Sequence, residues 1–397
     1  MYLAYIFFLF ANVSAIPTGR VEVVFPSVET SRSGVKTVKF RALGEEVKLK
    51  LESAGDILAK DFSFYNGNHE KQNSVDVESL RGRLYRDSAN GATLLIDDDG
   101  QPPSIEGILF SKLRIWPHEL KGMTEDGRRA HQVEELTNDR DSYLSDNIIL
   151  PDFQREMVNF TRIDRNDKCI VIEILSVTES NFTERFETNE ALTEYVTLMY
   201  SAAETLLRQL DSGLQLRLSG IVAFTKETEP PLFKNNELDD GKSYNKDILN
   251  GIREYFCRNS ISTSRDADII MILITRYMTT LKADGSTQGN IAGIAYAGSV
   301  CRRCYKVGVT RDFGSAVSGS LVSAHEISHL LGVPHDGGSP QSTGVSGSPG
   351  AKSCPSEDGF LMGYNTGVNR GNFSQCSKDC AKYLLSKRQA SCVYEKC

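Results

Sequence analysis

Apolar residues fall into two different rhythms along this chain. From about residue 16 to 165 they alternate with polar ones over short runs, as in Val21-Glu22-Val23-Val24-Phe25, Val47-Lys48-Leu49-Lys50-Leu51 and Ala92-Thr93-Leu94-Leu95-Ile96. A period of two puts alternate side chains on one face of a sheet, so these runs predict β-strands, separated by turn signals such as Asp97-Asp98-Asp99-Gly100. No long helical period occurs there. From residue 168 the rhythm changes. Stretches 169–177 and 268–275 are almost unbroken apolar runs and predict buried strands, with further strands at 214–224 and, more thinly, 293–301. Between them Leu192, Val196, Met199, Ala203, Leu206, Leu207 and Leu210 repeat at helical spacing, as do Ile248, Ile252 and Phe256. The predicted helices are 189–210, 244–256 and 316–331. Strands alternating with helices imply an α/β unit with a mostly parallel sheet. The charged stretch 138–167 reads as an exposed linker between the two units, and 337–350, rich in Gly, Ser and Pro, reads as a loop.

The first eleven residues are uniformly apolar, Met1 to Ala11, and Val13-Ser14-Ala15 offers small residues for cleavage after Ala15. The run is too short to span a bilayer and fits the core of a signal peptide, although no Lys or Arg precedes it. All nine cysteines lie after residue 168. Such segregation fits disulfides in an exported C-terminal domain, and the odd count leaves a thiol that is free or paired outside the chain. Three Asn-x-Ser/Thr sequons, at Asn159, Asn181 and Asn372, are candidate glycosylation sites in an exported chain. Net charge is −7 with no long run of one sign, which argues against nucleic-acid and polybasic membrane roles. Arg162 and Arg165 make a minimal dibasic-type processing pattern in the linker; Arg83 and Arg86 fit the same pattern inside the expected N-terminal fold.

One segment carries chemistry: His325-Glu326-Ile327-Ser328-His329-Leu330-Leu331-Gly332-Val333-Pro334-His335-Asp336. Residues four apart share a helical face, so His325 and His329 can present ring nitrogens to one point. Gly332 can end the helix in the left-handed conformation and Pro334 forbids its continuation, which lets the chain turn back and bring in His335. Three protein ligands leave a zinc ion one open position, the catalytic arrangement. Zinc there would lower the pKa of water toward neutrality, with Glu326, about 100° around the helix from His325, as general base. A bare HExxH arises by chance in many proteins; the added Gly and third His make chance rarer by roughly three orders of magnitude.

The extended motif resembles the metzincin metalloproteases, and Asp336 after the third histidine resembles their adamalysin (reprolysin) branch. Phe360-Leu361-Met362-Gly363-Tyr364 looks like the family's methionine turn, which assigns Met362. Gly293-Ile294-Ala295-Tyr296-Ala297-Gly298 is similar to the family's edge strand, which takes extended substrate by β-addition. Gly107-Ile108-Leu109, Leu113-Arg114-Ile115-Trp116-Pro117 and Ala130-His131-Gln132-Val133 resemble reprolysin propeptides, those of secreted tick salivary metalloproteases in particular. The resemblance implies a signal peptide (1–15), a β-rich propeptide (16–165) and an α/β zincin catalytic domain (166–397) with a mixed, mostly parallel twisted sheet and an active-site helix. It implies disulfides Cys301–Cys392 and Cys354–Cys376, and leaves Cys169, Cys257, Cys304, Cys380 and Cys397 unpaired by analogy. Calcium near Glu173 and Asp268 is a candidate second cation, with Glu395 where the family pattern has Asn.

Two departures stand out. Many family propeptides hold a cysteine thiolate on zinc, and this N-terminal half has no cysteine, so latency rests on steric cover or is weak. The chain also stops soon after the catalytic domain, where family members often continue into disintegrin or cysteine-rich domains. The expected activity is that of a secreted, zinc-dependent metalloendopeptidase made as a zymogen. Its expected substrates are extracellular proteins, with host matrix or clotting proteins suggested by the tick resemblance, and its own propeptide is its candidate inhibitor. The competing expectation is a secreted binding protein of the same fold with little or no turnover; the intact Glu326 argues against it.

Overall fold

A computed structural model describes residues 19–99, 102–118, 122–124, 126–135, 146–151, 168–238, 243–258, 262–281 and 286–396. The predicted signal peptide with its cut after Ala15, the sequon Asn159, the pair Arg162/Arg165 and the expected boundary at 165/166 all lie outside these residues. Among the described residues no helix is long and apolar enough to cross a membrane.

The N-terminal half builds a nine-stranded antiparallel sheet. Its order runs Val21–Val24, His131–Glu135, Leu113–Pro117, Ser104–Leu109, Ala92–Asp97, Leu84–Asp87, Glu45–Ser53, Lys36–Ala42, Ser27–Thr30. The alternation read from sequence is the cause. Val38, Phe40 and Ala42 on one strand and Val47, Leu49 and Leu51 on its neighbour all point into one apolar cluster, while the residues between them face outward.

The C-terminal half is built on a second nine-stranded sheet that is mixed and mostly parallel. Its central strand, Ile269–Ile274, is buried at every position. Ile269, Met271 and Leu273 pack into one core and Ile270, Ile272 and Ile274 into another, so helices cover both faces. On one face lie helix Asn189–Leu207, capped by Thr188 Oγ1 accepting from the Ala191 amide, and helix Ala316–Leu330. On the other lies Ile248–Arg258, through Ile248, Ile252 and Phe256. The predicted start of that last helix at Tyr244 was too early. Tyr244 sits four residues before Ile248 and so fits the helical period, but it belongs to a short strand, Ser243–Asn245, paired with Tyr277–Leu281. Its hydroxyl donates to buried Glu179. The strand predicted over 293–301 is shorter, Gly293–Tyr296.

The two halves do not keep separate cores, as the cysteine boundary had suggested. Strand Leu58–Asn66 leaves the first sheet's neighbourhood and joins the second, parallel to Leu214–Ala223 with Phe64 opposite Ile221. Leu58, Phe62, Phe64, Leu80 and Leu84 share a cluster with Ile172, Leu206 and Leu216. A buried ion pair crosses the same junction. Arg86 Nη1 lies 2.6 Å from Glu204 Oε1, and Glu204 Oε2 accepts from the Leu216 amide at 2.9 Å. Arg86 is therefore closed to a processing protease, whatever its sequence pattern with Arg83.

Strand Asp146–Ile149 also departs from expectation. It lies in the stretch read as exposed linker, yet it pairs in parallel with Gly293–Tyr296, Asp146 opposite Gly293 and Ile149 opposite Tyr296. Strand addition to a sheet edge is made by backbone groups, so composition gave no sign of it.

The junction makes a quantitative prediction. Arg86→Met leaves the buried Glu204 carboxylate with Arg208 as its one remaining cation, at 2.8 Å, and is expected to cost about 2 kcal/mol in urea unfolding of the full chain. Arg83→Met, at a half-exposed pair with Glu194, is expected to cost less than about 1 kcal/mol. Equal effects would contradict the buried junction.

Candidate metal centre

The centre begins with the end of a helix. Ser315 caps helix Ala316–Leu330, whose every residue is buried, and His325 and His329 sit one turn apart with ring centroids 4.7 Å from each other. The helix closes at Gly332 (φ +75°): the Gly332 amide donates to the His329 carbonyl and the Val333 amide to that of Ser328. This is the paired closure that a left-handed residue permits, and it satisfies two carbonyls the helix would leave orphaned. The reversed chain brings the His335 ring to 4.8 Å from that of His329 and 5.4 Å from that of His325.

Hydrogen bonds fix which nitrogen faces the centre. His325 Nδ1 donates to the Leu361 carbonyl at 2.9 Å and His329 Nδ1 to the Val333 carbonyl at 2.7 Å. A carbonyl can only accept, so the ring proton is on Nδ1 and a neutral ring offers the Nε2 lone pair inward. Burial pushes the pKa of His329 down to about 4, which keeps its ring neutral. The Nε2 atoms of His325 and His335 lie 3.3 Å apart. That is about the separation of two nitrogens each roughly 2.0–2.1 Å from a shared tetrahedral ion. The donor set thus fits a zinc ion.

Sequence reasoning missed one member of this cluster. Asp146 reaches His325 Nε2 and His329 Nε2 through Oδ2, at 2.9 and 2.7 Å, and His335 Nε2 through Oδ1 at 2.6 Å. All four residues can offer a ligand atom to one point. The only signal in the sequence was an acidic residue in a half without cysteine, which is too common to single out.

Glu326 is fully buried beside the centre, and neither carboxylate oxygen has a hydrogen-bond partner. Burial, and then the nearby Asp146 charge, hold its pKa well above the ordinary carboxylate range. Room for it exists because residue 293 is glycine: a Cβ there would lie 2.1 Å from Glu326 Oε1. Met362 is fully buried, and its carbonyl accepts from the amide of Asp336, next to His335. The Asp336 carboxylate is itself buried and accepts from Ser374 Oγ at 2.6 Å.

The structure bonds Cys301 to Cys392 and Cys354 to Cys376, and also joins Cys257 to Cys304. Cys169 is disulfide-bonded as well. Among the described residues Cys380 is the free thiol, buried, donating to the Gly350 carbonyl. Asn372 is exposed; Asn181 is half-buried, with Oδ1 accepting from Arg276. At the candidate calcium position a guanidinium supplies the positive charge. Arg217 Nη1 lies 2.7 and 2.8 Å from the two Glu395 oxygens and 3.5 Å from Glu173. Burial, chiefly, lifts the Asp268 pKa to about 7.

A mixed α/β unit with a three-histidine centre and an unpaired buried glutamate defines a metal-dependent hydrolase, and the comparisons agree. The reprolysin model of metallo-peptidase family M12 matches residues 169–374. A metalloproteinase of Tityus obscurus is 63% identical over 94% of this chain and 98% of its own length. The venom metalloproteinase antarease TserMP_A of Tityus serrulatus is 46% identical over 100% and 98%. The venom metalloproteinase BumaMPs1 of Olivierus martensii is 36% identical over 100% and 98%. The chain belongs to metallo-peptidase family M12 and is a peptide hydrolase, and the family implies a zinc cofactor. The resemblance to tick salivary enzymes is corrected: these three relatives are scorpion proteins, two of them named for venom.

Gly293→Ala tests the packing around Glu326. Zinc content should stay at that of the parent while peptide hydrolysis falls at least about a hundredfold, because the carboxylate is displaced. Activity within a few-fold of the parent would show that Glu326 does not need its present position.

Proposed function

We propose that the chain is a secreted zinc metalloendopeptidase, made as a zymogen with a β-rich propeptide (16–165) ahead of a metzincin catalytic domain, and acting on extracellular proteins. The observation that carries this reading is the proton bookkeeping at the centre. Two imidazoles are held with Nδ1 on backbone carbonyls and Nε2 inward, and an unpartnered carboxylate stands next to them. Bound zinc supplies a Lewis acid for the scissile carbonyl and makes water a nucleophile at neutral pH. His325, His329 and His335 hold it. Glu326, its proton affinity raised by burial, takes the proton from the attacking water at a carboxylate oxygen and delivers it to the leaving amine nitrogen. The Leu361 and Val333 carbonyls orient the ligating rings, and Met362 fixes the turn beneath them. Gly293–Tyr296, once its edge is free, binds an extended peptide through backbone hydrogen bonds. Secretion is supported by the apolar N-terminal run, the disulfides and the venom origin in the relatives' names. That origin favours proteins of an envenomed animal as substrates, in place of those of a tick's host.

The test is hydrolysis of an unstructured protein by the processed chain. A zinc chelator should abolish it and added zinc restore it. Glu326→Ala should lower kcat at least about a hundredfold while retaining zinc. Chelator-insensitive cleavage, or full activity in Glu326→Ala, would sink the proposal. A zinc-loaded, processed parent that binds proteins without cutting them would favour a binding protein of the same fold.

A further inference from the structure

We infer that Asp146 is the fourth ligand of the metal centre in the uncut chain, and that it keeps the enzyme latent by filling the position that water and substrate need. The inference rests on the metalloendopeptidase reading and specifies how that site is regulated.

Three observations carry it. First, the carboxylate approaches all three histidines at once, 2.6 to 2.9 Å from each Nε2, and by way of both oxygens. At His325 and His329 the ring proton is already committed to a backbone carbonyl through Nδ1. A neutral ring therefore turns a lone pair toward the Asp146 oxygen, and at hydrogen-bonding distance two lone pairs are joined only through a cation, either a proton on the ring or a metal ion. A metal ion satisfies all four groups together, with three nitrogens and one oxygen around it. Second, the backbone holds Asp146 there. Its strand pairs in register with Gly293–Tyr296, and the Ala297 amide donates to the Ile149 carbonyl at 2.9 Å. The same contact covers the edge an extended substrate would use. Third, nothing else in the N-terminal half can do this work by the thiolate route, since no cysteine precedes residue 169.

The arrangement also assigns a place to activation. Asp146 and Lys168, where the catalytic-sheet strand Lys168–Thr178 begins, are joined by the chain between them. A cut there turns a tethered ligand into one that can leave, and the tether's effective concentration is lost once the N-terminal half departs. The half is also held by the shared core around Phe64 and by Arg86–Glu204, so cutting alone does not release it. Latency therefore outlasts the cut and ends with dissociation.

The test uses the full chain with Co2+ in place of zinc, whose visible absorption bands report a change of ligand. The probe is azide, a linear anion with as many heavy atoms as Asp146→Ala removes and one able to displace the weakly ligating amide of Asp146→Asn while the covering strand stays paired. The parent should keep its spectrum, whereas Asp146→Ala and the nearly isosteric Asp146→Asn should shift theirs, with apparent Kd at least about tenfold lower. Equal response in parent and variants would show that the position was open all along. Equal silence in all three would show that the strand, and not the carboxylate, shuts the site. Either result overturns the inference. His329→Ala separates this from failure of the underlying reading: a spectrum unchanged from the parent's would mean that the metal does not sit on the three histidines at all.

Discussion

Everything at the centre depends on where two imidazole protons are. His325 and His329 could each point either nitrogen inward, and only the Nδ1–H bonds to the Leu361 and Val333 carbonyls decide it. Those carbonyls are placed by chain reversals. Val333 follows the helix end that Gly332 makes, and Leu361 belongs to the turn whose next residue, Met362, receives the Asp336 amide. The turn beneath the site is thus tied to the ligands by hydrogen bonds at both ends of the motif, to His325 directly and to His335 through its neighbour. A helix supplies spacing for two ligands, but the loops supply the tautomer and the third ligand.

The N-terminal half is part of the same physical object. A strand from it extends the catalytic sheet on one side and another covers its edge beside the metal centre. Between these two attachments the half buries apolar side chains in the catalytic core and sets Arg86 against Glu204. A segment so held does more than shield a cleft from solvent. It fixes a carboxylate to within hydrogen-bonding distance of three ring nitrogens, a placement that a loosely draped cover could not maintain.

Much of this was legible in the sequence because it rests on local pattern. Period-two runs became strands, the buried run at 269–274 became the central strand, and helix 316–330 carried its histidines four apart. Gly332 ended that helix for the conformational reason the sequence offered. The errors share a different origin. Tyr244 fitted the helical period and was taken into a strand by Glu179 and Tyr277–Leu281, neither of which is near it in sequence. Strand 146–149 and strand 58–66 found their partners through backbone groups, more than a hundred residues away, where side-chain composition carries no message. Asp146 was invisible for the same reason. The acidic cluster read as a candidate calcium site meets Arg217, whose role only the parallel pairing of its strand with 170–178 reveals.

The measurement that bears most directly on the account is zinc K-edge X-ray absorption on the zinc-loaded full chain. Three imidazole nitrogens and one carboxylate oxygen, all at about 2.0–2.1 Å, are expected. A sulfur scatterer at about 2.3 Å, or fewer than three imidazoles, would contradict it.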